Sequence, residues 1–575
     1  QPIYNEDRMV AVVLNGEIYN FAELRDELGR RGHVFRTRSD TESIVHAYEE
    51  FGEGCVARLR GMFAFALWDA RARRLLLARD RVGKKPLYYH VTGERLCFAS
   101  ELKALVQDQS LKRDLDLEAL HEFLALGAVG APRSIFREIR QIPPGHYLVW
   151  EAGRVRCGPY WSLTFAPDPR RTERQVLDEF REIFEEAVRI RLVSDVPLGA
   201  FLSGGVDSSA VVSAMAAAAA GRVLTTAVGF EERRYSELEH ARAVADAVGA
   251  DHREIVVQAR AADVLPRLVW HLDEPFADSS ALPTYYLASA ARRHVTVALS
   301  GDGGDEVFAG YQRRYGLNRW EVRLRRALPA WLRAGVVRPL SRAWPKADRL
   351  PRPLRARYFL GNVATTFERA YFNDVSLFRD EDRARLLSPE LRRRLDGHDP
   401  FVDFARHFDP VRDQDPLSQL LHVDLKTWLP NDILVKVDRM SMAHSLEVRS
   451  PFLDHRLIEF AATVPSHFKY RGGVSKYLVK RYVEDRVPAS AIHRPKQGFE
   501  IPLATWLRGE LRAMATDLVL SPRALGRGYV LPAYVRRLWE EHQAGRRDHA
   551  SRLWALMVLE LWHRAFVDQA PPARA

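Results

Sequence analysis

At residues 202–209 the chain reads Leu202-Ser203-Gly204-Gly205-Val206-Asp207-Ser208-Ser209, between an apolar segment at 196–202 and an alanine-rich segment that begins near Ser208. This pattern predicts a strand, a glycine turn and the first turn of a helix. At such a junction several backbone N–H groups are unpaired and point to one place, where the helix dipole favours an anion. The stretch therefore predicts a phosphate-binding loop at the end of a strand.

The side chains of this loop extend the prediction. The hydroxyls of Ser203 and Ser208 can donate to phosphate oxygens, and Gly204 and Gly205 allow a close backbone approach. Asp207 is unfavourable beside an anion unless a cation lies between them, so we predict it to be a Mg²⁺ ligand. The GxxxxGK[ST] type of phosphate loop is excluded, because the loop contains no lysine.

Strands and helices alternate around the loop. Apolar segments at 224–229 and 253–257 are separated by a helical pattern at 237–248. Such alternation predicts a parallel sheet with right-handed crossovers. Beyond about residue 310 we expect the chain to be predominantly helical.

A second carboxylate-bearing loop follows the apolar segment 295–299, where the chain reads Ser300-Gly301-Asp302-Gly303-Gly304-Asp305-Glu306. Loops at the carboxyl ends of neighbouring parallel strands meet over one crevice. We therefore expect Asp305 to approach Asp207. Two carboxylates beside a polyphosphate are what a hard cation requires.

The first 165 residues follow a different pattern. Short apolar runs alternate with turns, which predicts an antiparallel sheet domain with helices at 21–31 and 40–51. The segment 166–171 has the turn and charge composition of a linker. We thus predict two domains, at 1–165 and 170–575.

Composition excludes several classes of protein. The excess of 86 basic over 75 acidic residues is spread along the chain, and the arginine clusters at 323–326 and 392–394 are typical of helix surfaces rather than of a nucleic-acid site. Three cysteines without CxxC spacing indicate a reducing compartment, and the longest run of small apolar residues is too short to span a membrane. We expect a cytoplasmic protein with no nucleic-acid or membrane partner; homodimerisation stays open.

Two motifs near the start are weak when taken separately. Val13-Leu14-Asn15-Gly16-Glu17-Ile18-Tyr19-Asn20 contains a common turn, and Arg38-Ser39-Asp40-Thr41-Glu42 is a common helix cap. Together they resemble the class II (N-terminal nucleophile) glutaminase domain. The resemblance implies that an Asn side chain and a Gly N–H stabilise the oxyanion of an acyl transfer.

Further motifs, in a fixed order, resemble the glutamine-hydrolysing asparagine synthetases from residue 1 to about residue 566. Besides the stretches already quoted they are Arg79-Asp80-Arg81-Val82-Gly83-Lys84-Lys85-Pro86-Leu87-Tyr88-Tyr89, Phe98-Ala99-Ser100-Glu101-Leu102-Lys103-Ala104-Leu105, Val435-Lys436-Val437-Asp438-Arg439-Met440-Ser441-Met442 and Glu447-Val448-Arg449-Ser450-Pro451-Phe452-Leu453-Asp454. This resemblance implies an α+β N-terminal nucleophile (Ntn) glutaminase sandwich at 1–165, including a connecting region. It implies at 170–575 an α/β PP-loop (adenine nucleotide α-hydrolase-like) synthetase domain with a helical C-terminal part.

The same resemblance implies the site residues. The glutamine site comprises Asn15, Gly16, Glu17 and Asp40. The ATP site comprises Leu202, Ser203, Gly204, Gly205, Asp207, Ser208, Val228, Ser300 and Gly301. The magnesium ligands are Asp207 and Asp305. The catalytic residues are Asn15, Gly16, Asp302, which is associated with adenylate formation, and Lys476, which reaches the α-phosphate.

The implied reaction makes asparagine from aspartate, glutamine and Mg-ATP through a β-aspartyl-adenylate, with release of AMP and pyrophosphate. Ammonia from glutamine would travel to the second site along a dry passage. Two alternatives remain open at this point: the same chemistry on another carboxylate, for example in exopolysaccharide biosynthesis, and a non-catalytic binding protein that contacts RNA through its arginines.

One position departs from the family pattern. The family's glutaminase nucleophile is an N-terminal cysteine whose own amino group is its base, whereas residue 1 here is Gln. We predict Cys55 and Cys97 to be core thiols. We expect the sequence to be N-terminally truncated rather than the protein to be defective, because the Asn15-Gly16-Glu17 motif would otherwise lack a purpose.

Overall fold

Two antiparallel sheets form the N-terminal region in the computed structural model, which describes residues 1–219, 221–230, 237–257, 261–345, 356–493, 498 and 501–568. In spatial order the larger sheet contains β1 (Ile3–Tyr4), β2 (Val10–Ile18), β3 (Gly61–Asp69), β4 (Arg74–Arg79), β8 (His146–Glu151) and β9 (Arg154–Pro159). The smaller sheet contains β6 (Arg95–Ala99), β5 (Tyr88–Thr92) and β7 (Ile139–Gln141). The predicted antiparallel sheet domain is confirmed.

The first three helices of this region share an apolar core with the larger sheet, whereas the last two pack with β5 and with helices from later in the chain. They are α1 (Phe21–Arg30), α2 (Glu42–Phe51), α3 (Cys55–Arg58), α4 (Leu102–Leu105) and α5 (Leu117–Leu126). Val10 and Val12 alternate toward the buried face of β2 and join one apolar cluster with Ile44 and Val45 of α2. The period-2 pattern of the strand thus meets the apolar face of the helix.

A separate sheet of five parallel strands holds the phosphate-loop segment at its centre. Its spatial order is β12 (Asp251–Val257), β11 (Leu224–Phe230), β10 (Leu198–Phe201), β13 (Val297–Leu299) and β14 (Glu447–Arg449). All four neighbouring pairs are parallel, as predicted. The expectation of a predominantly helical region beyond residue 310 did not identify β14, because a three-residue strand leaves no periodic pattern.

Helices surround this sheet and continue to the end of the described chain. Those that precede residue 310 are α6 (Glu173–Ile190), α7 (Val206–Ala218), α8 (Leu238–Val248), α9 (Ala261–Leu272), α10 (Ala281–Ala291) and α11 (Gly304–Val307). The next are α12 (Gln312–Ala327), α13 (Ala330–Leu332), α14 (Arg338–Ala343), α15 (Arg357–Val363), α16 (Phe367–Val375), α17 (Asp380–Leu386), α18 (Pro389–Leu395), α19 (Pro400–Arg406), α20 (Pro416–Lys426) and α21 (Leu434–Met442). After β14 come α22 (His455–Thr463), α23 (Ser466–Lys469), the hairpin of β15 (Tyr470–Arg471) and β16 (Val474–Ser475), α24 (Tyr477–Val483), α25 (Ala489–His493), α26 (Leu503–Arg508), α27 (Arg512–Leu520), α28 (Pro522–Leu525), α29 (Pro532–Gln543) and α30 (Ala550–Phe566).

The linker composition at 166–171 does not produce a free segment. The amide of Ala166 donates to the carbonyl of Ala462 at 3.1 Å, and that of Asp168 donates to Thr463 at 3.0 Å. The segment therefore runs along the end of α22, held by backbone hydrogen bonds.

The cysteine and arginine predictions have different outcomes. Cys55 is fully buried, as predicted, whereas Cys97 is only half-buried, so its assignment as a core thiol is wrong. The reason is that β6 lies at the edge of its sheet. The three arginines at 392–394 are exposed on α18 between buried Leu391 and Leu395, which confirms a solvated helix face. None of the helices that the structure describes is long and apolar enough to cross a membrane.

A buried ion cluster joins the N-terminal region to the region of the parallel sheet. Asp454, which is 1% exposed, accepts hydrogen bonds from Arg60 and Arg191, each at 2.9 Å. Burial would raise the pKa of Asp454, but Arg191 and Arg60 hold it well below its usual range. Arg60 also donates to Glu186 of α6 at 2.8 Å. Because these charges are paired and shielded from water, removing one partner leaves the others uncompensated.

Replacing Asp454 tests this cluster. Asp454→Ala should destabilise the fold by about 3–5 kcal/mol, since two buried guanidinium groups lose their counter-ion. The check is the midpoint of thermal unfolding, with Asp168→Ala at an exposed ion pair as the control, which should leave the midpoint unchanged. An unchanged midpoint for Asp454→Ala would contradict the role of the cluster.

The cluster also predicts a pH dependence. Since the folded state depresses the pKa of Asp454, its contribution should be complete above the unfolded value of about 3.9 and be lost as the pH falls toward the folded value. Thermal unfolding of the wild type should therefore become strongly acid-sensitive below about pH 4. Asp454→Ala should lack this component.

Candidate functional site

The phosphate-loop segment forms the turn between β10 and α7. Gly205 is the residue before the first helical turn, and Gly204 has a positive φ of 70°. A Cβ on Gly204 would lie 2.5 Å from the carbonyl carbon of His240, so this position accepts only glycine. The Ser208 hydroxyl accepts a hydrogen bond from the Ser203 amide at 3.3 Å and donates one to the Gly205 carbonyl at 3.1 Å. These two bonds stabilise the turn.

Asp207 and Asp305 meet at one cation, the ammonium of Lys476. Lys476 Nζ pairs with Oδ2 of Asp207 and lies 2.6 Å from Oδ1 of Asp305. Burial lowers the pKa of Lys476, but the two carboxylates raise it above its ordinary value, so the side chain is charged. The expectation that Asp305 approaches Asp207 is confirmed, and Lys476 belongs to the same cluster.

The backbone around Lys476 is arranged to bring it there. It follows the β15–β16 hairpin, in which Gly472 and Gly473 have positive φ, and Lys476 itself has a φ of 52°. A left-handed conformation in a residue with a side chain costs roughly 1–3 kcal/mol. Gly310 permits the approach, because a Cβ there would overlap Asp305 and the end of the Lys476 side chain.

One cavity of about 520 Å³ collects the predicted nucleotide-site residues. It is lined by Leu202, Ser203, Gly205, Asp207, Ser208, Val228, Ser300, Gly301, Asp302, Asp305 and Lys476. Gly204 belongs to the same loop but is not among the lining residues. The sequence-based assignments therefore converge on a single site at the carboxyl ends of β10, β11 and β13.

Sequence reasoning missed a lysine in this cavity. Lys436 donates to Asp278 Oδ2 at 2.6 Å and to Ser280 Oγ at 2.8 Å. Burial would raise the pKa of Asp278, but Lys436 lowers it to about 2, so both side chains are charged. Lys436 lay within a quoted motif, but its partner is 158 residues away along the chain, and no local pattern identifies it.

A second missed residue comes from the N-terminal region. Lys84, which is 3% exposed, donates to Ser450 Oγ at 3.0 Å. The hydroxyls of Ser450 and Ser300 are 3.0 Å apart, and Ser300 donates to Asp302 Oδ2 at 2.7 Å. Since the single proton of Ser300 goes to Asp302, Ser450 must donate to Ser300. A directed chain of hydrogen bonds thus runs from Lys84 to Asp302.

The predicted glutamine-site residues lie on and beside β2. Gly16 pairs with Phe63 of β3, and its φ of 144° is a backbone conformation that favours glycine. Asn15 donates from its amide to Ser100 Oγ at 3.1 Å, and Asp40 accepts from the amide of Ile18 at 2.8 Å. The structure thus brings Asp40 beside the strand that carries Asn15 and Gly16.

Glu17 connects the predicted glutamine site to the parallel sheet. Its carboxylate lies 3.4 Å from the Arg449 guanidinium, which also donates to Glu447 at 2.6 Å. Burial and the neighbouring Glu447 raise the pKa of Glu17 to about 7, against the lowering effect of Arg449. The carbonyl of Arg449 accepts from the amide of Ser300 at 2.9 Å. Arg449 therefore contacts residues of both predicted sites.

Comparisons with known proteins match two consecutive regions of the chain to known families. Residues 179–564 match the family described as asparagine synthase, and residues 1–161 match the glutamine amidotransferase domain. The chain is 32% identical over 576 residues to asparagine synthetase (glutamine-hydrolysing) 1 of Bacillus subtilis (strain 168), covering 99% of this chain and 88% of that protein. A relative from Mycobacterium bovis, provisionally named asparagine synthetase (glutamine-hydrolysing), is 38% identical over 582 residues, which cover 98% of this chain and 85% of the relative.

The close packing at Gly301 gives a test of the nucleotide site. In Gly301→Ala the new Cβ would lie 2.8 Å from Asp207 Cβ and 2.9 Å from the Ser208 amide nitrogen, so the loop must shift. We expect at least tenfold weaker binding of ATP in the presence of Mg²⁺, measured by calorimetry. Gly29→Ala, where a Cβ meets nothing within 4 Å, is the matched control and should bind as the wild type does. Equal affinities in both variants would contradict the assigned site.

Proposed function

We infer that this chain, which belongs to the asparagine synthase family, is an ATP-dependent ligase that makes asparagine from aspartate and takes its nitrogen from glutamine. The observation that carries this conclusion is the cluster of Asp207, Asp305 and Lys476 at the mouth of the phosphate loop. A nucleoside triphosphate needs both anion-binding amides and cations, and this cavity supplies the phosphate-loop amides beside the Lys476 ammonium.

The finer architecture is part of the proposal. We assign an N-terminal nucleophile sandwich with its connecting region to residues 1–165, and a PP-loop synthetase domain with a helical C-terminal part to residues 170–575. The antiparallel sheets of the first region and the parallel sheet of the second support this division.

Asp207 and Asp305 fit a magnesium ion. Both present hard oxygen donors to the same point, which the Lys476 ammonium contacts. A Cβ at position 301 or 304 would overlap Asp207, and one at position 310 would overlap Asp305, so these three positions accept only glycine. Asp207 and Asp305 would hold the Mg²⁺ ion, whose charge would offset that of the phosphates. Lys476 remains within reach of the same phosphates, where its charge would stabilise the charge that develops at the α-phosphorus.

The synthetase step transfers an AMP group to aspartate. An oxygen of the side-chain carboxylate forms a bond to the α-phosphorus of ATP while the bond to the β-phosphate oxygen breaks, which releases pyrophosphate. Ammonia then forms a bond to the acyl carbon, AMP leaves, and ammonia gives up a proton. Asp302 lines this cavity and can accept that proton.

The glutaminase step uses the residues on β2. We propose that the Asn15 amide and the Gly16 N–H stabilise the oxyanion, and that Ser100 keeps the Asn15 amide in position. Glu17 and Asp40 would bind the amino end of glutamine. Since an adjacent ammonium favours the ionised carboxylate, glutamine binding should lower the raised pKa of Glu17.

Aspartate-dependent release of pyrophosphate from ATP, with ammonium as the nitrogen source, tests the synthetase reaction. Asp207→Asn should reduce this rate by about a hundredfold or more, because a ligand of the phosphate-binding cation is lost. Asp246→Asn, at an exposed position on α8, is the matched control and should retain wild-type activity. Absence of stimulation by aspartate would reject the assigned substrate, and stimulation by another acid of a tested panel would identify the alternative acceptor.

The Lys84 chain of hydrogen bonds predicts a second effect. Lys84→Met keeps an unbranched side chain of similar length but removes the donor to Ser450, so the hydrogen-bond chain that ends at Asp302 loses its first member. We expect ammonia-dependent turnover to fall about tenfold, which corresponds to about 1.4 kcal/mol of transition-state stabilisation, with the KM for ATP unchanged. Lys112→Met, at an exposed position, should not change turnover. A Lys84→Met enzyme with normal turnover would remove Lys84 from the mechanism.

A further inference from the structure

Four side chains that neither site uses converge on the surface of the N-terminal region. Glu6 lies between β1 and β2, His33 follows α1, and His46 and Glu49 lie on α2. One ligand atom from each of the four lies within 4.8 Å of the other three. His46 is 1% exposed, so the cluster has a buried floor and an open rim.

The distances are close to those of a metal site. His46 Nδ1 lies 3.4 Å from Glu49 Oε2 and 3.6 Å from Glu6 Oε2. His33 Nδ1 lies 3.7 Å from Glu49 Oε2 and 3.8 Å from Glu6 Oε1. Tetrahedral zinc with bonds of about 2.0–2.1 Å separates its ligand atoms by about 3.4 Å. The four ligand atoms, which lie within 4.8 Å of one another, would move inward to reach this spacing.

His33 has the outer partner that a metal-ligating histidine requires. Both imidazoles turn Nδ1 toward the centre of the cluster. His33 Nε2 is 3.1 Å from Glu50 Oε1, whereas His46 Nε2 is 3.8 Å from Glu42 Oε1, beyond hydrogen-bond distance. The carboxylate on the outer nitrogen of His33 fixes the tautomer in which its inner nitrogen carries the lone pair.

The two candidate carboxylate ligands are themselves held in place. Glu6 Oε1 accepts from the amide of Val34 at 2.9 Å, and Glu49 Oε1 accepts from the Asn5 side chain at 2.6 Å. Glu49 therefore presents its other oxygen, Oε2, to both histidines, and Glu6 presents Oε2 to His46. Fixed donors of this kind reduce the ordering that a bound ion would otherwise impose.

The charges around the cluster favour a cation. Four carboxylates, from Glu6, Glu42, Glu49 and Glu50, surround the two imidazoles. Arg31 pairs with Glu50 at 3.3 Å, and the Arg36 guanidinium donates to the main-chain carbonyl of Glu6 at 3.0 Å. These arginines lie outside the ring of inner atoms, so the centre stays negative.

We propose that Glu6, His33, His46 and Glu49 bind a zinc ion. Imidazole nitrogens with carboxylate oxygens in a four-ligand set suit zinc better than magnesium or calcium, which prefer oxygen ligands alone. Glu42, beside His46, also accepts from the amides of Arg36 at 2.6 Å and Thr37 at 2.7 Å. The ion would therefore stiffen the segment that leads to Asp40, a link that rests on the proposed glutamine site, whereas zinc binding itself does not.

Metal binding can be measured without reference to activity. Untagged protein is stripped with a chelator and titrated with Zn²⁺ by calorimetry, and the dialysed complex is analysed for bound metal. We expect one equivalent in the wild type, and binding at least a hundredfold weaker in His33→Gln and in Glu6→Gln. His467→Gln, an exposed histidine far along the chain, should bind as the wild type does. Glu50→Gln should weaken binding about tenfold to a hundredfold through the outer contact.

Two further readouts separate a metal site from ion pairs between protonated histidines and glutamates. Zn²⁺ should raise the thermal unfolding midpoint of the wild type but not that of His33→Gln. Co²⁺ should give the visible absorption of a tetrahedral complex in the wild type alone. Circular dichroism establishes that the variants are folded. Zinc affinity that is equal in the wild type, His33→Gln and Glu6→Gln would overturn the proposal, as would absence of saturable binding in the wild type.

Discussion

Two carboxylates that share one cation can face one another at close range, and this interaction organises the synthetase half of the molecule. Lys476 supplies that cation for Asp207 and Asp305. Three separate parts of the chain must therefore meet: the loop after β10, the loop after β13 and the end of the β15–β16 hairpin. The left-handed backbone of Lys476 indicates that this meeting has priority over local conformational preference.

The two halves of the chain are joined through buried polar contacts close to both sites. Asp454 pairs with Arg60 and Arg191, and Lys85 pairs with Asp438 at 2.8 Å. Such pairs tolerate little displacement, because separation would leave charges without partners in a medium of low dielectric constant. They keep Lys84 and Arg449 in register, and these two residues connect the N-terminal region to the loop of Ser300 and Asp302.

This arrangement supports our proposal that ammonia passes between two sites. Free ammonia protonates readily in water, since the pKa of the ammonium ion is near that of a protonated amine. Such an enzyme needs two sites that are held at a fixed separation and contacts that connect them. Arg449 provides contacts of this kind, because its guanidinium lies beside Glu17 and its carbonyl accepts a hydrogen bond from the Ser300 amide.

Local pattern was sufficient for the phosphate loop, the parallel sheet and the carboxylates of the nucleotide site, because strand, glycine turn and helix start are short-range features with strong backbone preferences. The family resemblance, rather than local pattern, grouped Asn15, Gly16, Glu17 and Asp40. Only the tertiary structure decided the partners of Lys84 and Lys436, the three-residue strand β14, the exposure of Cys97 and the convergence of Glu6 with His33 and His46. These depend on contacts between distant parts of the chain, and a single sequence carries no periodic trace of such contacts.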